Sequence, residues 1–198
     1  MFVSFEGLDG SGKTTQVEQL RAALATAGRE VVTAREPGGT ELGERIRDLV
    51  LHGSEMTAWA EALLYAAARA ELVAQVVAPA LERGADVILD RYLDSSVVYQ
   101  GIGRSLGLEE VLELNLHAVR GLLPDRTFVL EVDPRLAGAR VGSGPDRIER
   151  ESTDFHARVA AGYRRLAELY GERVVLLDGT LPVATLAERI HDELRHPA

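Results

Sequence analysis

Gly7-Leu8-Asp9-Gly10-Ser11-Gly12-Lys13-Thr14 is the stretch that decides the fold. It has the full spacing of a phosphate-binding loop, a glycine and four residues followed by Gly-Lys-Thr. The apolar run 2–6 before it has the pattern of a buried strand. Behind it, from Lys13 to about Ala27, Val17, Leu20, Ala23 and Leu24 fall on one helical face, and Gly28 ends the helix. Strand, glycine-rich turn and helix in this order build an anion site. The glycines let the backbone curl so that its N–H groups point into a nest, and the helix N-terminus adds partial positive charge. Lys13 is placed to reach the β- and γ-phosphates of a nucleoside triphosphate, and the Thr14 hydroxyl to hold Mg²⁺. The expected ATP-binding set is Gly7, Gly10, Ser11, Gly12, Lys13, Thr14 and Thr15.

One compositional fact sharpens this reading. Lys13 is the single lysine among 22 basic residues; all the others are arginine. The two are interchangeable on a solvated face, but not where a compact ammonium must fit among phosphates.

Outward from the loop, strands are predicted at 30–34, 87–90, 127–132 and 174–178. Helices are predicted at 42–51, 57–83, 109–119 and 183–194, with further helical segments between the last strands; Pro79 is expected to bend or interrupt the second. Alternating strands and helices imply a P-loop NTPase-type α/β domain of three layers: a central five-stranded parallel sheet with helices on both faces. The 198 residues fit a single domain, 1–198, with a short lid at about 136–150 whose tip is Gly142-Ser143-Gly144-Pro145.

Composition excludes several classes. A net charge of -9 argues against a nucleic-acid-binding surface. Without cysteine there is no disulfide framework and no thiolate metal site. The N-terminus has neither a charged leader nor an apolar run of membrane-spanning length, so a cytoplasmic location is expected by default. The five histidines, His52, His117, His156, His191 and His196, show no metal spacing and read as surface or helix residues, while Met56 and Trp59 read as packing groups.

The third strand ends in Asp90-Arg91. An acid at the carboxyl end of a parallel strand beside the phosphate loop suits a carboxylate that touches Mg²⁺ directly or through water, so Thr14 and Asp90 form the expected metal pair.

Several blocks then resemble thymidylate kinase of the bacterial type: Asp9 inside the loop, Arg35-Glu36-Pro37-Gly38-Gly39-Thr40, Leu64-Tyr65-Ala66-Ala67-Ala68-Arg69, Asp90-Arg91-Tyr92 with Ser95-Ser96 and Tyr99-Gln100-Gly101, and Asp146-Arg147-Ile148-Glu149. They occur in the family's order from residue 2 to about 180. The resemblance implies transfer of the γ-phosphoryl of ATP to dTMP, giving ADP and dTDP on the way to dTTP, by a homodimer. It places Tyr65 against the thymine ring, where the family more often has Phe, and Arg69, Ser96 and Gln100 in contact with the base. Tyr99 would pack near the 2′ carbon of the sugar. Arg35, Arg47 and Arg91 would surround the acceptor phosphate, with Asp9 and Glu36 near the sugar and metal. From residue chemistry alone, Tyr65 reads as core and Arg69 as a solvated charge.

The lid departs from the family pattern. Bacterial members carry several lid arginines to complement a phosphate loop that lacks one. This loop has Gly10 at that position, yet Arg140 is the one arginine between Leu136 and Pro145. Arg140 is therefore expected over the transferring phosphoryl, with Arg147 second, and the catalytic set becomes Lys13, Arg91, Asp9 and Arg140. Alternatives are another nucleoside monophosphate kinase or a deoxynucleoside kinase, which would differ in the acceptor pocket, and a silent ATP-binding module. A GTP-hydrolysing switch is excluded, because an Asn-Lys-x-Asp guanine motif needs a second lysine.

Overall fold

A computed structural model describes residues 1–142, 144 and 146–195. Ser143, Pro145 and His196, assigned above to the lid tip and the surface, lie outside the described residues. Five parallel strands, β1 (Phe2–Glu6), β2 (Val31–Arg35), β3 (Asp86–Asp90), β4 (Arg126–Glu131) and β5 (Val174–Asp178), form one sheet in the order β2-β3-β1-β4-β5. The chain winds from β1 to one side and later crosses to the other, so the strand order reverses beside β1. In such sheets the crevice at the carboxyl ends of the strands is where ligands bind.

Alternate side chains of the central strands point to opposite faces. Val3, Phe5, Ile88, Phe128 and Leu130 pack under α1 (Lys13–Thr26) and α9 (Val183–Arg195), with the Phe5 and Phe128 rings 5.5 Å apart. On the other face Phe2, Val87, Leu89 and Val129 meet α2 (Glu41–His52), α3 (Ala58–Leu72) and α8 (Thr153–Leu169). Both faces are therefore dry, as a parallel sheet requires. Thr40, Thr57 and Ser152 cap α2, α3 and α8 through their side chains, whereas α1 starts at Gly12 without a side-chain cap. The first amides of α1 thus remain free of side-chain acceptors for a ligand anion.

The long helix expected at 57–83 is not interrupted at Pro79. A π-helical turn, Val73–Val77, follows α3 and leads directly into α4 (Ala78–Glu82), so that Pro79 falls in the first turn of α4. The π-helical turn just ahead of it is where the α-helical hydrogen bonding changes, which accommodates a residue without an N–H. The continuous helix Ala58–Glu82 is long and apolar enough to cross a membrane by length and composition alone. Its Ala62, Ala66, Leu72 and Val77 are buried in the protein core. A second π-helical turn, Val97–Gly103, continues α5 (Leu93–Ser96) ahead of α6 (Leu108–Ala118), and α7 (Pro134–Arg140) follows β4. Met56 packs against the core, but Trp59 is 44% exposed on the first turn of α3, so it is not the packing group expected.

Candidate active site

The phosphate loop leaves β1 through Gly7 at φ 132°, where a Cβ would stand 2.6 Å from the Leu130 carbonyl oxygen. Only glycine makes that turn without moving β4. Lys13 is almost fully buried, and its Nζ donates to the carbonyls of Gly7 (3.2 Å) and Leu8 (2.9 Å). Burial, with the nearby Arg91 cation, lowers its pKa to about 8 against the pull of Asp9, Asp90 and Glu6.

Asp90 is paired in register with Phe5, which sets it beside the loop. The Thr14 hydroxyl donates to Asp90 Oδ2 at 2.7 Å, and both residues line a cavity of about 850 Å³. Among the described residues no three His, Asp or Glu side chains are grouped to cage a metal. A hydroxyl and a carboxylate facing a phosphate site nonetheless fit Mg²⁺, which binds through one or two protein oxygens and completes its shell with phosphate and water. Gly10, Ser11, Gly12 and Thr15 line the same cavity, with Arg35 and Arg140 at its rim.

At its far end the cavity is walled by Gly179, Leu181, Val183 and Leu186, at the approach to α9 and in its first turn. Gln16 Nε2 donates to the Val183 carbonyl at 3.1 Å and ties this wall to α1. Sequence reasoning missed it. The Asp178-Gly179-Thr180 turn after β5 was the available signal, with Asp178 accepting from the Thr180 amide and hydroxyl.

A smaller cleft of about 80 Å³ opens from the first, and Asp9, Glu36, Arg47 and Arg91 line both. Arg91 sits at φ 73° directly after β3. Its NH1 donates to the Gly7 carbonyl (2.9 Å) and Ser95 Oγ (3.1 Å), and its NH2 to Asp9 Oδ1 (2.7 Å). Burial works against the Asp9 carboxylate, but Arg91 and Lys13 outweigh it and hold that carboxyl well below the usual range. The Arg91 guanidinium also lies over the Tyr99 ring, 5.2 Å from its centroid. Arg47 NH1 donates to the Pro37 carbonyl at 2.9 Å. Arg35 is largely exposed and reaches Glu44 at 3.4 Å.

Tyr65, Ser96, Tyr99 and Gln100 line the small cleft together with Arg69. Tyr65 is half-buried: it packs against the core and also faces the cleft. Arg69 is only 1% exposed, so the solvated charge suggested by residue chemistry is overturned. Its Nε and NH2 hold Glu36 (2.6 and 2.5 Å), NH1 donates to Ser96 Oγ and Asn115 Oδ1, and NH2 also donates to the Tyr92 carbonyl. A guanidinium with every nitrogen engaged forms a fixed wall. Burial pushes the Glu36 carboxyl up, partly offset by Arg69.

The two lid arginines part company. Arg140, the last residue of α7, is exposed on the larger cavity with NH1 3.4 Å from the Gly10 carbonyl. Arg147 is buried away from it: its Nε donates to the Val50 carbonyl and its NH2 pairs with Glu61 at 2.6 Å. Leu51, Ser95, Asp146 and Ile148 also face the small cleft and were not singled out from sequence as site residues. Leu51 comes from α2, Ser95 from the turn of helix that also carries Ser96, and Asp146 and Ile148 from the segment after the lid tip.

Comparison with known proteins agrees with this geometry. A family model described as thymidylate kinase matches residues 5–190. The chain is 52% identical over 198 residues to a thymidylate kinase of Leifsonia xyli, spanning 98% of this chain and 94% of that one. It is 47% identical over 203 residues to one of Bifidobacterium longum, spanning 100% and 98%. The crystal structure of thymidylate kinase from Ehrlichia chaffeensis superposes with a TM-score of 0.81 at 31% identity over 98% of both chains. Phosphate loop, paired cavities and this breadth of similarity lead to one statement: the chain belongs to the thymidylate kinase family.

Proposed function

We infer that this chain transfers the γ-phosphoryl group of ATP to the phosphate of dTMP, giving ADP and dTDP. The observation that carries the reading is the junction of two cavities at Asp9, Glu36, Arg47 and Arg91. One cavity holds the phosphate loop, and the other ends in aromatic and amide side chains. A phosphoryl group leaving the first has an arginine-lined path into the second.

An acceptor phosphate oxygen is already ionised at neutral pH, so the reaction needs no strong base. That oxygen attacks the γ-phosphorus in line, the bond to the β–γ bridging oxygen breaks, and its electron pair leaves on ADP. Alignment and charge neutralisation then carry the rate. Lys13 faces the β- and γ-phosphates, and Arg140 approaches from the lid, 136–150. Arg91, fixed by Asp9, grips the acceptor phosphate with Arg35 and Arg47, whose forks suit phosphate. Thr14 and Asp90 would hold Mg²⁺, which would supply further neutralisation on the phosphates. Tyr65 stacks on the base, Ser96 and Gln100 read its edge beside the Arg69 wall, and Tyr99 crowds the 2′ carbon; Glu36 lies near the sugar.

We place the reaction in the cytoplasm, where nucleotides are held, in one kinase domain that pairs as a homodimer. The exposed Leu49, Trp59 and Leu63 on α2 and α3 offer an apolar surface for that pairing; sedimentation of the intact chain tests it.

ADP release measured with ATP, Mg²⁺ and dTMP, dUMP, UMP, dCMP, AMP, dGMP or thymidine tests the acceptor. Strong preference for dTMP supports the reading. Preference for another monophosphate, or activity on thymidine alone, overturns the acceptor assignment.

A further inference from the structure

Gln100 is 2% exposed, on the π-helical turn Val97–Gly103, and lines the small cleft. Behind it, outside the cleft, stands Glu61 of α3, 1% exposed. Glu61 Oε1 accepts from Gln100 Nε2 at 2.8 Å, while Oε2 pairs with Arg147 NH2 (2.6 Å) and Arg104 NH2 (3.1 Å). Arg104 in turn meets Glu151 at 2.5 Å. We propose that Glu61 is a positioning residue that fixes the orientation of the Gln100 amide and thereby sets which base edge the cleft accepts.

The chemistry is one of donors and acceptors. A carboxylate flanked by two guanidiniums is ionised and can only accept hydrogen bonds. Arg104, Gln100 and Arg147 outweigh burial and keep the Glu61 carboxyl below its ordinary range. The Gln100 NH₂ must therefore face Glu61; turning the amide over would set a carbonyl oxygen against a carboxylate. Its own carbonyl oxygen is left on the cleft side, where no described residue donates to it. A pyrimidine with an N–H at ring position 3, thymine or uracil, meets that oxygen with a donor. Cytosine presents a lone pair there and is rejected. A site built to pair one hydrogen-bonding edge discriminates strongly against an edge that leaves it unpaired.

This inference rests on the dTMP acceptor reading, and its test separates the two. The kcat/KM ratio for dTMP over dCMP is measured in the unmodified enzyme, in Arg104→Gln, and in Glu61→Gln made in the Arg104→Gln background, which removes one charge of each sign. Arg104→Gln alone leaves Glu61 ionised against Arg147 and keeps the ratio. The double variant frees the amide to turn and narrows the ratio by ~10-fold or more, through a higher KM for dTMP and a lower one for dCMP, with the KM for ATP unchanged. A purely structural role lowers activity on both acceptors together and leaves the ratio intact, which overturns the proposal. In the unmodified protein, NMR should show the Gln100 side-chain NH₂ slow to exchange with water, since it points into the protein. Rapid exchange overturns the proposal without recourse to any variant. An unmodified enzyme without preference for dTMP over dCMP overturns the acceptor reading instead.

Discussion

Arg91 and Asp9 lie 2.7 Å apart, guanidinium to carboxylate, where the phosphate-loop cavity and the small cleft meet. Arg91 also donates to the Gly7 carbonyl, so the arginine, the acid and the phosphate loop are held as one unit. Replacing Arg91 with Lys keeps the charge and loses the fork. Steady-state assays with dTMP should show kcat reduced by ~10²–10³. A near-normal kcat would remove Arg91 from the catalytic set.

Lys13 gives the pH profile. Its pKa is lowered to about 8 by burial and by Arg91, so the free enzyme carries the ammonium below that pH and loses it above. The kcat/KM for ATP is therefore expected to be level up to about pH 8 and to fall beyond it. Lys13→Ala should lower kcat by ~10²–10³ and abolish the alkaline limb. A decline that persists in that variant belongs to another group.

Arg140 is exposed over the phosphate loop, whereas Arg147 is locked to Glu61 and the Val50 carbonyl. Arg140→Ala should cut turnover by ~10³ or more with ATP affinity little changed, because a transition-state arginine acts on charge that develops only during transfer. Single-turnover measurement separates chemistry from binding. Little change in turnover takes Arg140 off the catalytic list.

Thr14 and Asp90 share one short hydrogen bond at the loop. Thr14→Val and Asp90→Asn should each raise the Mg²⁺ concentration needed for half-maximal rate, and EDTA should abolish activity in the unmodified enzyme. An unchanged Mg²⁺ dependence in both variants argues against this pair as the metal site.

Gly10 tests the contact between loop and α7. At φ 80°, a Cβ there would stand 2.2 Å from the Ala137 carbonyl oxygen and 3.2 Å from Arg140 Cβ. Gly10→Ala should destabilise the fold by about 1–3 kcal/mol, seen as a lower Tm, and impair turnover by displacing α7. A variant with unchanged Tm would mean that α7 moves aside freely.

The phosphate loop and the strands around it were legible because they are local. A motif, a run of apolar residues and a glycine pattern each occupy one short window, and all five strands appear within a residue of where periodicity placed them. The sheet agrees with the fold that the alternation of strands and helices implied, and the similarity of the whole chain to thymidylate kinases agrees with the activity that the resemblance implied. What stayed hidden is non-local or aperiodic. A π-helical turn has no marker in composition, so Val73–Val77 read as part of one ordinary helix at 57–83, and Pro79 looked like a bend or break. Arg69 looked like a surface charge because its partners lie 23 to 46 residues away in sequence. Glu61 and Asn115 left no signal, since a buried polar residue is identifiable only with its partners in view. The wall at Leu181 and Val183 is set by where α9 docks on α1, which no short window contains.

The solitary lysine has a practical consequence. Every other side-chain cation in this chain is a guanidinium, and the one ammonium is tucked beneath the phosphate loop with its donors turned to Gly7 and Leu8. Toward acylating and other amine-seeking reagents the exterior is almost inert, apart from the terminal amine. A mass shift on Lys13 would thus report on the loop alone, and its suppression by ATP would turn a non-specific label into a direct gauge of donor-site occupancy.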